Sequence, residues 1–182
     1  MNIVRIESDE DILSTCEVML QLRPHIRPDD YLPTVHRMME SDGYRLAAAS
    51  DGAVVRAVAG YRRMEMLYCG KLLYVDDLVS AETARSAGYG RALIEWLKNE
   101  ARAHGCVEIH LDSGVGPDRL AAHRLHLNAG YRISSHHLGR EVEEHPARSG
   151  PGRLTAGGRT RERPARWAAG RARRAPCRRG GR

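Results

Sequence analysis

Apolar and polar residues recur along this chain with two different periods, and the change from one period to the other predicts its elements. A period of three to four residues, typical of a helix with one buried face, is clearest over residues 9–22 and 87–103. A period of two, typical of a strand with one buried face, is clearest over residues 107–112. The predicted helices span residues 9–22, 29–40 (with Pro33 as an alternative start), 87–103 and 117–128, and the predicted strands span residues 1–6, 44–49, 53–64, 71–79, 107–112 and 131–134.

The order of these elements predicts an α/β fold. Two helices follow the first strand, and three strands joined by short turns come next. The first of these turns carries the hairpin signal Ser50-Asp51-Gly52. The remainder alternates strand, helix, strand, helix, strand, which favours parallel neighbours in a sheet. We therefore expect one domain with a mixed sheet over residues 1–143.

One glycine-containing loop is the clearest candidate for chemistry. Residues 85–91 join a predicted strand to a predicted helix. The first turn of a helix has N–H groups without partners and carries the positive end of the helix dipole. Gly88 and Gly90 allow close approach of a ligand, and Arg85 and Arg91 add positive charge. This pattern predicts a phosphate site.

The positive charge of the chain is concentrated beyond residue 143. The formal net charge is +6, but residues 1–143 carry −4 and residues 144–182 carry +10. The second segment is rich in Arg, Gly, Ala and Pro and lacks the apolar periodicity that a core requires, so we expect it to be disordered. A basic arm that binds nucleic acid and a segment translated from a shifted reading frame both account for it. The absence of lysine favours the second.

The cysteines and the apolar runs limit the class of protein. Cys16, Cys69, Cys106 and Cys177 form no C-x-x-C pair, which argues against a zinc ribbon or a disulfide framework. No apolar run approaches membrane-spanning length, and the N-terminus has no signal-peptide pattern. These observations predict a cytoplasmic protein without a membrane partner.

Four segments, taken in order, resemble the GNAT N-acetyltransferase superfamily. They are the strand 74–79, the R-x-x-G-x-G loop 85–90, the strand that ends at 111–114, and the helical segment 122–131. The resemblance implies the GNAT fold: a mixed central sheet of six to seven strands, two of them parallel and splayed, with about four helices. It also implies direct transfer of an acetyl group, in a ternary complex without a metal, from acetyl-CoA as co-substrate to a primary amine.

The resemblance further implies where acetyl-CoA lies. In the superfamily it occupies the cleft between two splayed strands, here 72–79 and 107–112. The pyrophosphate would contact the N–H groups of the loop, and the pantetheine arm would pair with the strand. The N–H of Val79 would stabilise the negative charge that develops on the thioester oxygen. The implied cofactor-binding residues are Leu78, Val79, Arg85, Ser86, Ala87, Gly88, Tyr89, Gly90, Arg91 and, at the cofactor edge, His123.

Proton transfer is assigned to three residues. A primary amine is mostly protonated near neutral pH, so a base must accept a proton before or during attack. By the resemblance, Asp76 is the first candidate for that base and Asp77 the second. His126 stands where many members carry the tyrosine that protonates the leaving thiolate, and imidazole can serve as that acid. The alternatives are a strand bulge with two structurally bonded carboxylates and a His126 without a catalytic role.

Other polar residues receive simpler interpretations. Glu108, His110 and Asp112 share one strand face and are interpreted as polar lining, since no fixed ligand spacing of a metal site is present. His136 and His137 are interpreted as a pair on the last strand. The resemblance places four residues of the helix connection beside the acceptor site, where a solvated loop is the alternative: Arg23, His25, Arg27 and Tyr31.

The chain also departs from the superfamily pattern. Ser86 and Ala87 replace the Gly and the Lys or Arg that many members carry in the loop, which implies weaker binding of the cofactor. Two other functions therefore stay open: an acyl-CoA-binding or regulatory module without turnover, and nucleic-acid binding through residues 144–182. The expected partners are a small-molecule amine and, in a homodimer, a second copy of the chain.

Overall fold

The described part of the chain is a five-stranded sheet with helices packed on both faces. In the computed structural model, residues 1–140 are described, so the predicted basic tail from residue 144 onward lies outside the described residues. The strands are β1 Asn2–Ile6, β2 Arg45–Asp51, β3 Val54–Met66, β4 Gly70–Ser80 and β5 Glu108–Leu111. The helices are α1 Asp9–Leu22, α2 Pro28–Asp42, α3 Tyr89–Ala103 and α4 Leu120–Asn128, and single 3-10 turns occur at Glu82–Ala84 and Pro117–Arg119.

The strands lie in the sheet in chain order. The pairs β1–β2, β2–β3 and β3–β4 are antiparallel, and β5 lies parallel to β4 at the edge. The predicted α/β class, the mixed sheet and the adjacent parallel strands are thus confirmed. The predicted count of six to seven strands is wrong for the described residues, which form five.

The missing strand is the one predicted at residues 131–134. Helix α4 ends in a Schellman motif, in which Tyr131 N–H donates to the carbonyl of His126 at 3.1 Å and Gly130 N–H donates to that of Leu127 at 3.0 Å. Gly130 has the positive φ of 89° that this ending requires. The backbone of Tyr131 is therefore bonded to the helix end, and the following Ile133 is 84% exposed instead of lying on the sheet.

Two apolar layers hold the helices to the sheet. On one face, Ile12 and Met19 of α1 and Val35 of α2 pack against Leu46 and Val58 of the strands. On the other face, the strongly amphipathic α3 packs its apolar stripe on β2 to β4. The buried residues of this second layer are Ala47, Ala49, Ala57, Ala59, Tyr61, Leu73, Val75, Leu93, Leu97 and Ala101. Because successive strand residues point to opposite faces, Leu46 and Ala47 belong to different layers.

A β-bulge interrupts β4 in the middle of the sheet. Gly60 of β3 pairs with Asp77, whereas Tyr61 pairs with Val75, so Asp76 is an extra residue without a partner in the ladder. A bulge bends its strand and increases the local twist. This distortion lies at the point where β4 and β5 separate.

Candidate active site

The parallel strands β4 and β5 separate after only four paired residues. Their register runs from Leu72 opposite Glu108 to Val75 opposite Leu111. β5 ends there, while β4 continues to Ser80. We call the space beyond Val75 and Leu111 the fork. The part of β4 along the fork has backbone groups that no strand of the described chain covers on that side, and it includes the predicted cofactor residues Leu78 and Val79.

The loop before α3 has the geometry of an anion site. Helix α3 begins at Tyr89, two residues later than predicted, because Gly88 adopts a left-handed conformation with φ 90° as its N-cap. No side chain caps the helix, and its first turn contains no acidic residue. The first intrahelical bond runs from Ala92 N–H to the carbonyl of Gly88 at 3.0 Å, which leaves the amides of the first turn directed out of the helix.

Ser86 in this loop has an unfavourable backbone conformation. Its φ is +64°, and it is the one residue other than glycine with a positive φ in the described part of the chain. L-residues pay roughly 1–2 kcal/mol in this region, which glycine does not. The serine thus replaces glycine at a position where the backbone favours glycine, and the loop keeps its shape at a cost in stability.

Helix α4 packs close to this loop. A Cβ on Gly90, in the first turn of α3, would lie 3.2 Å from Cδ2 of Leu125 and 3.3 Å from Oγ of Ser80. The next residue after Leu125 is His126. The helix that packs against the predicted phosphate loop is therefore the helix that carries the predicted acid, His126.

His126 is a buried, uncharged histidine. Its residue exposure is 8%, and Nδ1 has no hydrogen-bond partner within residues 1–140. Burial lowers the pKa of His126 below its ordinary value of 6.5, and the positive charge of Arg119 and the neighbouring His123 lower it further. The imidazole is therefore neutral near pH 7 and has to gain a proton before it can act as an acid.

His123 has a different environment on the same helix. Its Nε2 lies 2.8 Å from the carbonyl of Gly114, so this nitrogen carries the proton and donates to the loop after β5. The contact fastens α4 to that loop. His123 thus helps to hold the helix that carries His126.

Asp76 is held by an arginine from the neighbouring strand. Arg62 donates through Nε to one carboxylate oxygen at 2.9 Å and through its terminal nitrogen to the other, a bidentate pair. The hydrogen bond and charge of Asp76 raise the pKa of Arg62. Both oxygens of Asp76 are therefore engaged by a guanidinium.

Asp77 is held from two directions on the other side of the bulge. The hydroxyl of Tyr44 donates to Oδ2 at 2.7 Å, and Nε of Arg23 donates to Oδ1 at 2.7 Å. Arg23 also donates to the carbonyl of Asp76 at 3.0 Å. Burial and the adjacent negative charge of Asp77 raise the pKa of Tyr44 well above its ordinary value. The bulge is thus fixed by side chains from the α1–α2 connection and from the residue just before β2.

The other residues of the helix connection are less closely tied to the fork. Tyr31 is buried, and its hydroxyl lies 2.8 Å from that of Thr15. Arg27 is exposed and lies 3.8 Å from Asp29 and from Asp30, whereas the His25 side chain makes no hydrogen bond or ion pair within residues 1–140. Of the four residues that the resemblance placed beside the acceptor, Arg23 is the one bonded to the bulge.

Sequence reasoning missed most partners of these carboxylates. Tyr44 and Arg62 were not candidates, because nothing local in the sequence joins them to residues far away along the chain. At the fork, Asp112 lies 2.9 Å from His137, a residue predicted only as part of a strand. Within β5, Nε2 of His110 lies 2.6 Å from a carboxylate oxygen of Glu108.

A mixed sheet whose parallel strands separate beside an uncapped helix defines a recognisable class of α/β protein. The acetyltransferase (GNAT) family matches residues 11–131, more than half of the chain, and the chain belongs to that family. An uncharacterized N-acetyltransferase, YhdJ, of Bacillus subtilis (strain 168) is 28% identical over 133 residues, which cover 72% of this chain and 92% of that protein.

Solved structures share the fold. The crystal structure of a transcriptional regulator from Bacillus halodurans C-125 matches with a TM-score of 0.67 at 19% identity, covering 77% of this chain and 98% of that one. The aminoglycoside N-acetyltransferase AAC(6')-Iy in complex with CoA matches with a TM-score of 0.67 at 15% identity, covering 77% of this chain and 93% of that one. At these identities the likeness concerns the fold alone. Within residues 1–140, no helix is both long and apolar enough to span a membrane.

Proposed function

We propose that this chain transfers an acetyl group from acetyl-CoA directly to a primary amine, in a complex that holds both substrates. The observation that carries the proposal is the uncapped N-terminus of α3, which has Gly88 at its N-cap, no acidic residue in its first turn, and a position beside the fork. Unpaired amides and the helix dipole together favour a phosphate there. Acetyl-CoA, when bound, supplies an activated acetyl thioester.

The loop and the strand have separate roles in this proposal. Residues 85–91 bind the pyrophosphate through their N–H groups, with Arg85 and Arg91 adding charge. Leu78 and Val79 offer their open backbone to the pantetheine arm, as an edge strand does to an added strand. An amide of this segment, that of Val79 in our proposal, donates to the thioester oxygen as it becomes negative.

His126 acts as a proton carrier in the proposal. Because burial keeps its imidazole neutral near pH 7, it can accept a proton from the reacting nitrogen and then donate it to the departing sulfur. A histidine that is neutral at rest can act in this order, whereas it cannot protonate the sulfur before it has gained a proton. His123 keeps α4 in place through Gly114.

The bonded state of Asp76 and Asp77 bears on their predicted role as bases. Proton acceptance at Asp76 requires release of Arg62, and at Asp77 it requires loss of a bond from Tyr44 or Arg23. Their contacts favour a role in shaping the fork. We propose that they fix the bulge, and that the acceptor is a small cationic amine.

The test is amine-dependent release of CoA thiol by the full chain. The panel consists of a polyamine, an aminoglycoside, an amino acid and a peptide with a free N-terminus. Thiol release that requires an amine, with an N-acetylated product in the mass spectrum, supports the enzyme and identifies the acceptor class. Binding of acetyl-CoA without turnover on any amine contradicts it and favours the acyl-CoA-binding module.

A further inference from the structure

A histidine, an aspartate and a tyrosine converge at the fork. Asp112 is the first residue beyond Leu111, the last paired residue of β5. Its Oδ2 accepts a hydrogen bond from the hydroxyl of Tyr74, a residue of β4, and lies 2.9 Å from Nδ1 of His137. Tyr74 and His137, which are distant in the sequence, thus contact the same carboxylate oxygen of Asp112.

This arrangement favours one tautomer of the histidine ring. A carboxylate oxygen 2.9 Å from a ring nitrogen repels the lone pair of that nitrogen, so the contact favours the tautomer of His137 with its proton on Nδ1. In the neutral ring Nε2 is then the acceptor. The His137 side chain is 71% exposed and that of Asp112 is 51% exposed, so a substrate amine has access to both.

The charges at the fork also distinguish Asp112 from its neighbours. Asp76 is paired with Arg62, and Asp77 is paired with Arg23. Asp112 has no guanidinium partner within residues 1–140; the phenol of Tyr74 and the imidazole of His137 contact it instead. Of these three aspartates, Asp112 is therefore the one whose negative charge no guanidinium balances.

We propose that His137, aligned by Asp112, is the base that accepts a proton from the acceptor ammonium at the fork. The inference rests on the proposed acetyl transfer and assigns one of its steps. Tyr74 is a positioning residue, because it holds Asp112. Within residues 1–140, the charged group in contact with the ring is Asp112, just beyond β5; Asp112 is bonded to Tyr74 of β4, which in turn interacts with Asp76 and Arg62.

The transfer balances in protons and electrons. The ammonium gives one proton to Nε2 of His137, which frees the lone pair of the nitrogen. A C–N bond forms to the acetyl carbon while the C–S bond breaks, and the electron pair of that bond leaves with sulfur. The second nitrogen proton passes to sulfur through His126, and His137 returns its proton to solvent.

The experiment compares His137→Gln with His136→Gln in the full chain, because the adjacent histidine is a matched control. The acceptor is whichever amine of the panel named above the wild type acetylates best. We expect His137→Gln to lower kcat/KM near neutral pH by about a hundredfold or more, with acetyl-CoA affinity by calorimetry unchanged. Its residual rate should rise with pH as the amine loses its own proton, whereas His136→Gln should keep the wild-type profile.

The outcomes separate the inference from the function on which it rests. A wild type that acetylates no amine overturns the proposed function and the inference together. An active wild type with the two glutamine variants equal at every pH overturns the inference alone. Loss of acetyl-CoA binding in His137→Gln indicates a structural role and also overturns it. An Asp112→Asn variant supports the inference if its kcat/KM falls near neutral pH and rises again at higher pH, as expected for His137→Gln.

Discussion

The hydroxyl of Tyr44 donates to the carboxylate of Asp77 at 2.7 Å, at a place where Gly60 leaves room for the two side chains to meet. A Cβ on Gly60 would overlap the tyrosine hydroxyl and lie 2.8 Å from Oδ2 of Asp77. The bulge that separates β4 from β5 thus depends on a buried hydrogen bond and on the absence of a side chain. Arg23 completes the arrangement from the helix connection.

Tyr44→Phe should therefore destabilise the protein. The change removes a donor from a buried carboxylate, which costs about 1–3 kcal/mol of the free energy of unfolding. Urea denaturation measures the loss. Tyr68→Phe is the control, because Tyr68 is 72% exposed. Removal of its hydroxyl should change the free energy of unfolding by no more than about 0.5 kcal/mol. Equal effects of the two substitutions would contradict a supporting role for the Tyr44–Asp77 bond.

Ser86→Gly should stabilise the loop. Glycine relieves the strain at φ +64°, roughly 1–2 kcal/mol, and part of this gain is offset by the greater freedom of glycine in the unfolded chain. We expect the free energy of unfolding to rise by up to about 1 kcal/mol. Ala87→Gly is the control in the same loop, because Ala87 has no positive φ and should lose stability. The account is contradicted if both glycine variants are destabilised alike.

Ala87→Arg should strengthen the binding of acetyl-CoA. The substitution adds a positive charge beside the predicted pyrophosphate, and we expect a gain of about two- to fivefold in affinity that falls with salt. Calorimetric titration at two ionic strengths measures it. Ala103→Arg, at the other end of α3, adds the same charge far from the loop and serves as the control. A gain of the same size in both variants would show a general charge effect only.

His126 should make stability depend on pH. Its pKa in the folded protein lies below the ordinary value of 6.5, so its contribution is fully present above about pH 6.5 and is lost as pH falls through the folded pKa. The wild type should therefore lose stability relative to His126→Gln between about pH 7.5 and about pH 5. Urea denaturation over this range gives the difference. A difference that stays constant, or that grows in favour of the wild type on acidification, would contradict the buried neutral imidazole.

The sequence predicted the elements well where periodicity and turns are local. The amphipathic pattern of α3 and the alternation at β5 identified those elements within a few residues. The failure at residues 131–134 has a physical reason: that short alternating segment also suits the Schellman ending of α4, which binds the backbone of Tyr131. A local pattern does not decide between these two outcomes.

The candidate site was predictable where its residues are contiguous in the sequence, and it was not where contacts join distant segments. The loop 85–91 is contiguous, so its geometry could be expected from the order of strand, glycine and helix. The contacts of Asp76 with Arg62 and of Asp77 with Tyr44 join distant segments, so the sequence did not predict them. They accompany the bulge of β4, which the sequence offered only as the alternative to a catalytic role of the two carboxylates. The contact of His137 with Asp112 was not predicted either, because the two residues belong to different segments.

The most direct measurement is a calorimetric titration of the full chain with acetyl-CoA and, separately, with S-acetylpantetheine, which lacks the pyrophosphate. The account predicts that acetyl-CoA binds at least about tenfold more tightly, because the first-turn amides of α3 contact the phosphates. Arg91→Gln should weaken this preference, and Arg102→Gln, in the last turn of the same helix, should not. Equal affinity for the two thioesters, or binding of neither, would contradict it.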